Sequence, residues 1–170
     1  MRIRPVHMQL YPVPRFAVYD LSTDAPQEFG QFCELSVALT GFSPAELEAT
    51  GMLRTYFDEL GLVLGRAIRQ KYFASNLGPV VLLSDEELWG PLTRNLIRMW
   101  YLGQWKKLPV GWGAKQLGKE DFDGFDEFGR NVDRVISPGA YREGLVWKAV
   151  GVNPMGAKEP GFASWKEPPK

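Results

Sequence analysis

The apolar positions between residues 24 and 103 recur at helical spacing and predict a helical core. A first helix is expected to begin near Pro26, after the N-cap candidate Asp24, and to end at Gly41, which can adopt the left-handed conformation of a helix stop. Its apolar side should carry Phe29, Phe32, Cys33, Ser36 and Leu39, with Leu35 at the edge.

Two serine capping boxes predict further helix starts. Ser43 and Glu46 begin a second helix, and Ser84 and Glu87 begin a third helix that ends near Gly103. The core side of the second helix should carry Leu53, Tyr56, Phe57, Leu60 and Leu64, and that of the third Leu88, Leu92, Leu96, Met99 and Trp100.

Three residues predict irregularities inside these helices. Gly61 and Gly65 favour a break in the second helix, because glycine is a poor helix former. Pro91 is expected to kink the third helix or to reset its first turn.

The remaining segments lack long periodic patterns. Residues 1–22 mix prolines with alternating apolar positions, which is typical of an extended N-terminal arm. Residues 104–170 are rich in glycine, proline and tryptophan, and predict only a short helix after Ser137. The expected architecture is one mainly α domain, with a compact helical core over 24–103 and a long, ordered, loop-rich and aromatic C-terminal extension over 104–170.

Charge and hydropathy exclude several classes of partner. The chain of 170 residues balances 20 basic against 20 acidic side chains, and the basic ones are scattered, so no binding to nucleic acid is expected. No apolar run approaches the length of a membrane helix, so no membrane span is expected either. The first residues show no export signal.

Few residues point to catalysis. A single cysteine, Cys33, and a single histidine, His7, exclude an internal disulfide, most histidine metal sites and most histidine-dependent triads. Residues 113–120 have P-loop glycine and lysine spacing, but Glu120 stands where a serine or threonine should hold magnesium, which favours an exposed loop. The acidic run 120–129 fails the EF-hand pattern at both ends and favours a turn-rich loop anchored by Phe122, Phe125 and Phe128. We therefore predict no catalytic, cofactor-binding or metal-binding residue in this chain.

The aromatic C-terminal part suggests binding to another protein. Aromatic residues and methionine dominate the cores of interfaces, and glycine permits close approach of a backbone. The predicted partner interface comprises Trp105, Trp112, Tyr141, Gly144, Trp147, Pro154, Met155, Gly156, Phe162 and Trp165. Three alternatives stay open: the aromatic residues cap the chain's own core, line a sugar-binding pocket of a stand-alone binding or enzymatic domain, or mediate self-association.

Several blocks resemble, in the same order, the small (gamma) subunit of bacterial FAD-dependent sugar and polyol dehydrogenases, a group that acts on sorbitol, fructose, glucose and gluconate. The resemblance extends from about Phe29 to Pro169. It rests on Phe32–Gly41, Trp100–Trp105, Tyr141–Trp147, Pro154–Ala157, Pro160–Phe162 and Trp165.

The resemblance implies an accessory role. In that family, a large flavoprotein subunit of the glucose-methanol-choline oxidoreductase type carries FAD and oxidises the sugar, and a multihaem cytochrome c can carry the electrons onward. The small subunit assists folding, flavin loading or export of its partner and holds neither FAD nor haem c itself. The expected location is the periplasm as part of that complex, or otherwise the cytoplasm.

Overall fold

A computed structural model describes residues 26–75, 77–118 and 125–154 of the chain. The predicted N-terminal arm lies outside the described residues, as does the first half of the acidic run, residues 120–124, which includes Phe122. In the described part, the elements in chain order are α1 (Pro26–Thr40), α2 (Pro44–Ala49), α3 (Leu53–Ala74), α4 (Pro79–Ser84), α5 (Gly90–Leu102), β1 (Gln104–Trp105), α6 (Trp112–Leu117), β2 (Arg134–Val135), α7 (Pro138–Arg142) and α8 (Leu145–Ala149).

The mainly helical prediction is confirmed. Helix α1 begins at Pro26, and Gly41 follows its end with a φ of 74°. Phe32 and Ser36 of the predicted apolar side are buried, and the Phe32 ring packs against the rings of Phe57 and Trp100. No helix among the described residues has the length and apolar character needed to cross a bilayer.

The predicted second helix is two helices. Ser43 caps α2 with the expected capping box, but the helix ends at Ala49, and α3 starts at Leu53 after a turn at Gly51. The break expected near Gly65 is present, with non-helical dihedral angles of 69° and 171°. Short α2 is therefore a separate element that packs on α1.

The predicted start of the third helix at Ser84 is wrong. Ser84 ends α4, where its hydroxyl donates to the carbonyl of Val81, and Asp85 accepts a hydrogen bond from the Leu88 amide in the turn that follows. Helix α5 begins only at Gly90, with Pro91 in its first turn. Of the two effects expected for Pro91, a kink or a reset of the first turn, the structure shows the second.

The described part of the P-loop-like segment, residues 113–118, does not form the exposed loop expected there, because residues 113–117 belong to α6. Gly113 and Gln116 are buried within α6, and the Gln116 side chain donates to the carbonyl of Leu88 at 3.0 Å. Phe125 packs on Trp112, with ring centroids 5.8 Å apart, whereas Phe128 is 42% exposed.

The chain beyond Gly103 shares the core of the helices before it. Among the described residues of this part, the hydrophobic core includes Trp105, Leu108, Trp112, Ala140 and Leu145. The short helix expected after Ser137 is split into α7 and α8, which both pack on α5. Helix α5 is thus the support on which the C-terminal elements are placed.

Candidate functional site

Two residues of the predicted interface are core residues of the chain itself. Trp105 and Trp112 are each 1% exposed. The Trp105 indole donates to the side chain of Asn131 at 3.2 Å, and the Trp112 indole donates to the carbonyl of Leu88 at 2.6 Å. The prediction that Trp105 and Trp112 contact a partner is therefore corrected, because the chain's own core already covers both rings. These two residues follow the alternative, in which the aromatic residues pack on the chain's own core.

Gly144 also has a role within the chain. A Cβ atom at this position would lie 2.8 Å from the carbonyl oxygen of Tyr101 and 3.3 Å from that of Tyr141. We predicted that Gly144 lets a partner approach its backbone closely, but the backbone that approaches it belongs to Tyr101 near the end of α5. It fixes the turn between α7 and α8.

Tyr141 and Trp147 form a half-buried aromatic pair next to that turn. Their ring centroids are 5.4 Å apart with the planes at 76°, and the Trp147 indole donates to the Tyr141 carbonyl at 2.8 Å. The hydrogen bond satisfies the polar end of Trp147 and holds the ring at the surface.

An open groove lies between α2 and the C-terminal part of the described chain. We call it the C-terminal groove; its volume is about 320 Å³. It brings together three of the predicted interface residues, Gly144, Trp147 and Pro154. Its full lining is Glu46, Ala49, Thr50, Arg142, Glu143, Gly144, Leu145, Trp147, Lys148, Val152, Asn153 and Pro154.

An ion pair ties the two sides of this groove together. The Lys148 ammonium lies 2.5 Å from a carboxylate oxygen of Glu46 and 5.4 Å from the ring centroid of Phe42. Hydrogen bonds from Lys148, and then from the backbone and hydroxyl of Ser43, lower the pKa of Glu46 to about 2. The groove thus holds a fixed carboxylate at neutral pH, already paired within the chain.

Replacing Lys148 by methionine is expected to raise the pKa of Glu46. The variant loses the hydrogen bond from Lys148, which is the largest cause of the lowered pKa, and keeps the hydrogen bonds from Ser43. The pKa of Glu46 should therefore move from about 2 toward its ordinary value of 4.5. Because the folded-state pKa is the lower one, the stabilisation is present above the ordinary pKa and disappears as the pH falls toward about 2. NMR titration of the Glu46 carboxyl group in both proteins measures the change, and equal pKa values would contradict the ion pair.

Sequence reasoning missed both partners of this ion pair. Glu46 was identified only as the capping-box glutamate of a helix start, a role that it also fills. Lys148 follows it by 102 positions, and no local pattern connects residues so far apart. Arg142, which the prediction also omitted, lines the same groove and makes no ion pair with another described residue.

Four predicted interface residues, Met155, Gly156, Phe162 and Trp165, lie outside the described residues. Among residues 26–75, 77–118 and 125–154, no group of three or more histidine, cysteine, aspartate or glutamate side chains could hold a metal ion.

The described residues form a small, mainly helical fold with an open, partly apolar groove that reaches the last described residue, Pro154. No family model, curated protein or solved structure matches the chain.

Proposed function

We propose that this chain is the non-catalytic small subunit of a flavin-dependent sugar or polyol dehydrogenase complex. In this proposal, a large subunit of the glucose-methanol-choline oxidoreductase type carries FAD and oxidises the sugar. The small subunit binds it and assists its folding, flavin loading or export. A multihaem cytochrome c is a possible third subunit, and the complex acts in the periplasm.

The observation that carries the proposal is the convergence of two blocks of the family resemblance on one surface. Gly144 and Trp147 belong to one block and Pro154 to the next, and all three line the C-terminal groove. Residues of two such blocks grouped around one open groove suit the recognition of another protein.

The surface around this groove has the composition of an interface. Val150 and Val152 are 61% and 52% exposed, and Val152 lines the groove beside the half-buried Trp147. Arg142, Asn153 and the Glu46–Lys148 ion pair add polar groups to its lining. Aromatic and aliphatic side chains next to polar groups are typical of protein interfaces.

Truncating the chain after Gly151 is expected to abolish binding of the large subunit and to leave the core folded. Among the described residues, Leu145 is the last member of the hydrophobic core, so the truncation spares that core. It removes Val152, Asn153 and the buried Pro154 from the wall of the C-terminal groove, together with the tail. Co-purification with the large subunit measures the loss, and circular dichroism checks the helical content.

A second truncation, after Pro154, is the matched control. It keeps Val152 and Pro154 in the groove and removes only residues 155–170, so a difference between the two truncated chains separates the groove from the tail. Undiminished co-purification after truncation at Gly151 would contradict the proposed interface.

One feature favours the alternative, a stand-alone domain that binds a sugar. The groove volume of about 320 Å³ lies within the range of small-molecule sites, and Trp147 stands beside the polar side chains of Arg142 and Asn153. Titration of the isolated chain with sugars, followed by calorimetry, tests this alternative. Saturable binding that Trp147→Ala removes would support it over the accessory role.

A further inference from the structure

A second groove lies between α1 and α2, apart from the residues that line the C-terminal groove. We call it the α1–α2 groove; its volume is about 290 Å³. Its lining is mainly apolar: Cys33, Val37, Pro44, Leu47 and Leu53, together with the carboxylate-bearing Glu34 and Glu48. A cavity of this size admits one or two apolar side chains rather than a whole helix.

The two glutamates give this apolar groove a negative rim. Glu34 and Glu48 are both exposed, and neither forms an ion pair with another described residue. Burial is the main cause that raises the pKa of the Cys33 thiol, and the negative charges of Glu48 and then Glu34 raise it further. The charge of the two carboxylates therefore acts on a group that lines the groove. The carboxylate of Glu46 in the C-terminal groove differs in this respect, because Lys148 neutralises it.

Two carboxylates that no described cation neutralises, placed beside an apolar slot, favour a positively charged occupant. The chain as a whole has a formal net charge of zero, so the selection is local and does not reflect a general acidic field. An apolar side chain in the slot displaces water, which strengthens the attraction between the rim and a neighbouring cation.

We propose that the α1–α2 groove docks a segment of the large flavoprotein subunit that presents an apolar side chain next to a lysine or arginine. This inference rests on the proposed function. It adds a second contact surface to the C-terminal groove and states the chemistry of the partner segment that fills it.

The thiol of Cys33 is a reporter for the charge of the groove, because it is the only cysteine in the chain. In the free, full-length protein, a methanethiosulfonate reagent with a trimethylammonium group should modify Cys33 about tenfold faster than the sulfonate-bearing reagent at low salt. The double variant E34Q/E48Q should reduce this ratio toward one. An unchanged ratio in the double variant would overturn the assignment of the rim charge.

The complex provides the decisive test. Binding of the large subunit should slow the modification of Cys33 by neutral N-ethylmaleimide at least tenfold, and the charge reversal E34R/E48R should weaken the complex about tenfold or more. Glu127→Arg is the matched control, since Glu127 is an exposed glutamate that lines neither groove, and it should leave the affinity unchanged.

The outcomes separate the two proposals. A stable complex in which Cys33 reacts as fast as in the free chain overturns this inference and leaves the proposed function in place. Failure to form any complex overturns both. If N-ethylmaleimide modifies Cys33 equally slowly in the free full-length chain and in the complex, the chain's own residues fill the groove. This result also overturns the inference.

Discussion

Replacement of Gly103 by alanine is expected to lower the free energy of unfolding by about 2–4 kcal/mol and to weaken binding of the large subunit. Gly103 ends α5 with a φ of 64°, where any L side chain is strained. A Cβ atom here would also overlap the carbonyl group of Ala140 and lie 2.7 Å from the amide nitrogen of Tyr141. Because these neighbours are backbone atoms of α7, they cannot move without displacing the helix that leads into the C-terminal groove.

Gly41 is the matched control for this substitution. It follows α1 with a φ of 74°, but nothing lies within 4 Å of the position that its Cβ atom would take. Gly41→Ala should therefore cost only the backbone strain, about 1 kcal/mol, and leave partner binding intact. Chemical denaturation of both variants measures the difference, and equal losses would show that α7 does not press on Gly103.

Replacement of Glu59 by glutamine is expected to lower the free energy of unfolding by about 2–3 kcal/mol. Glu59 lies on α3 and is 5% exposed; one carboxylate oxygen is 2.9 Å from the guanidinium of Arg130, and the other accepts from Arg134. The variant leaves two arginines without their carboxylate. The cost is below that of a fully buried pair, because the side chains of Arg130 and Arg134 are 37% and 20% exposed and recover some hydration.

Glu86→Gln provides the comparison at the surface. Glu86 pairs with Arg94 at 3.1 Å, but their side chains are 77% and 45% exposed, so the loss should be about 0.2–1 kcal/mol. A similar loss in the Glu59 and Glu86 variants would show that the ion pairs of Glu59 with Arg130 and with Arg134 of β2 stabilise the fold no more than a surface pair does.

Local chemistry was sufficient to predict the helix ends that a short motif encodes. Ser43 and Glu46 form the capping box that their spacing indicated, and Gly41 and Gly103 both adopt the left-handed conformation that ends a helix. The box at Ser84 failed, because Pro91 favours the first turn of a helix and places the start of α5 after the box. Two competing start signals could not be ranked from the sequence.

The candidate site was less predictable because it depends on which aromatic residues the core takes up. Composition does not distinguish Trp112, which is packed between Trp89 and Phe125, from Trp147, which is held at the surface by its hydrogen bond to Tyr141. The pairing of Glu46 with Lys148 required the full path of the chain. The groove is lined by residues of both α2 and α8, so its presence depends on how the two helices are placed in the fold.

The proposed accessory role is tested most directly by expressing the chain alone and together with its genomic neighbours, and by recording the mass and flavin absorbance of the purified protein. The account predicts a yellow, sugar-oxidising complex only when the large flavoprotein subunit is present, and a colourless, inactive chain otherwise. A lone chain that binds flavin or oxidises a sugar would contradict it.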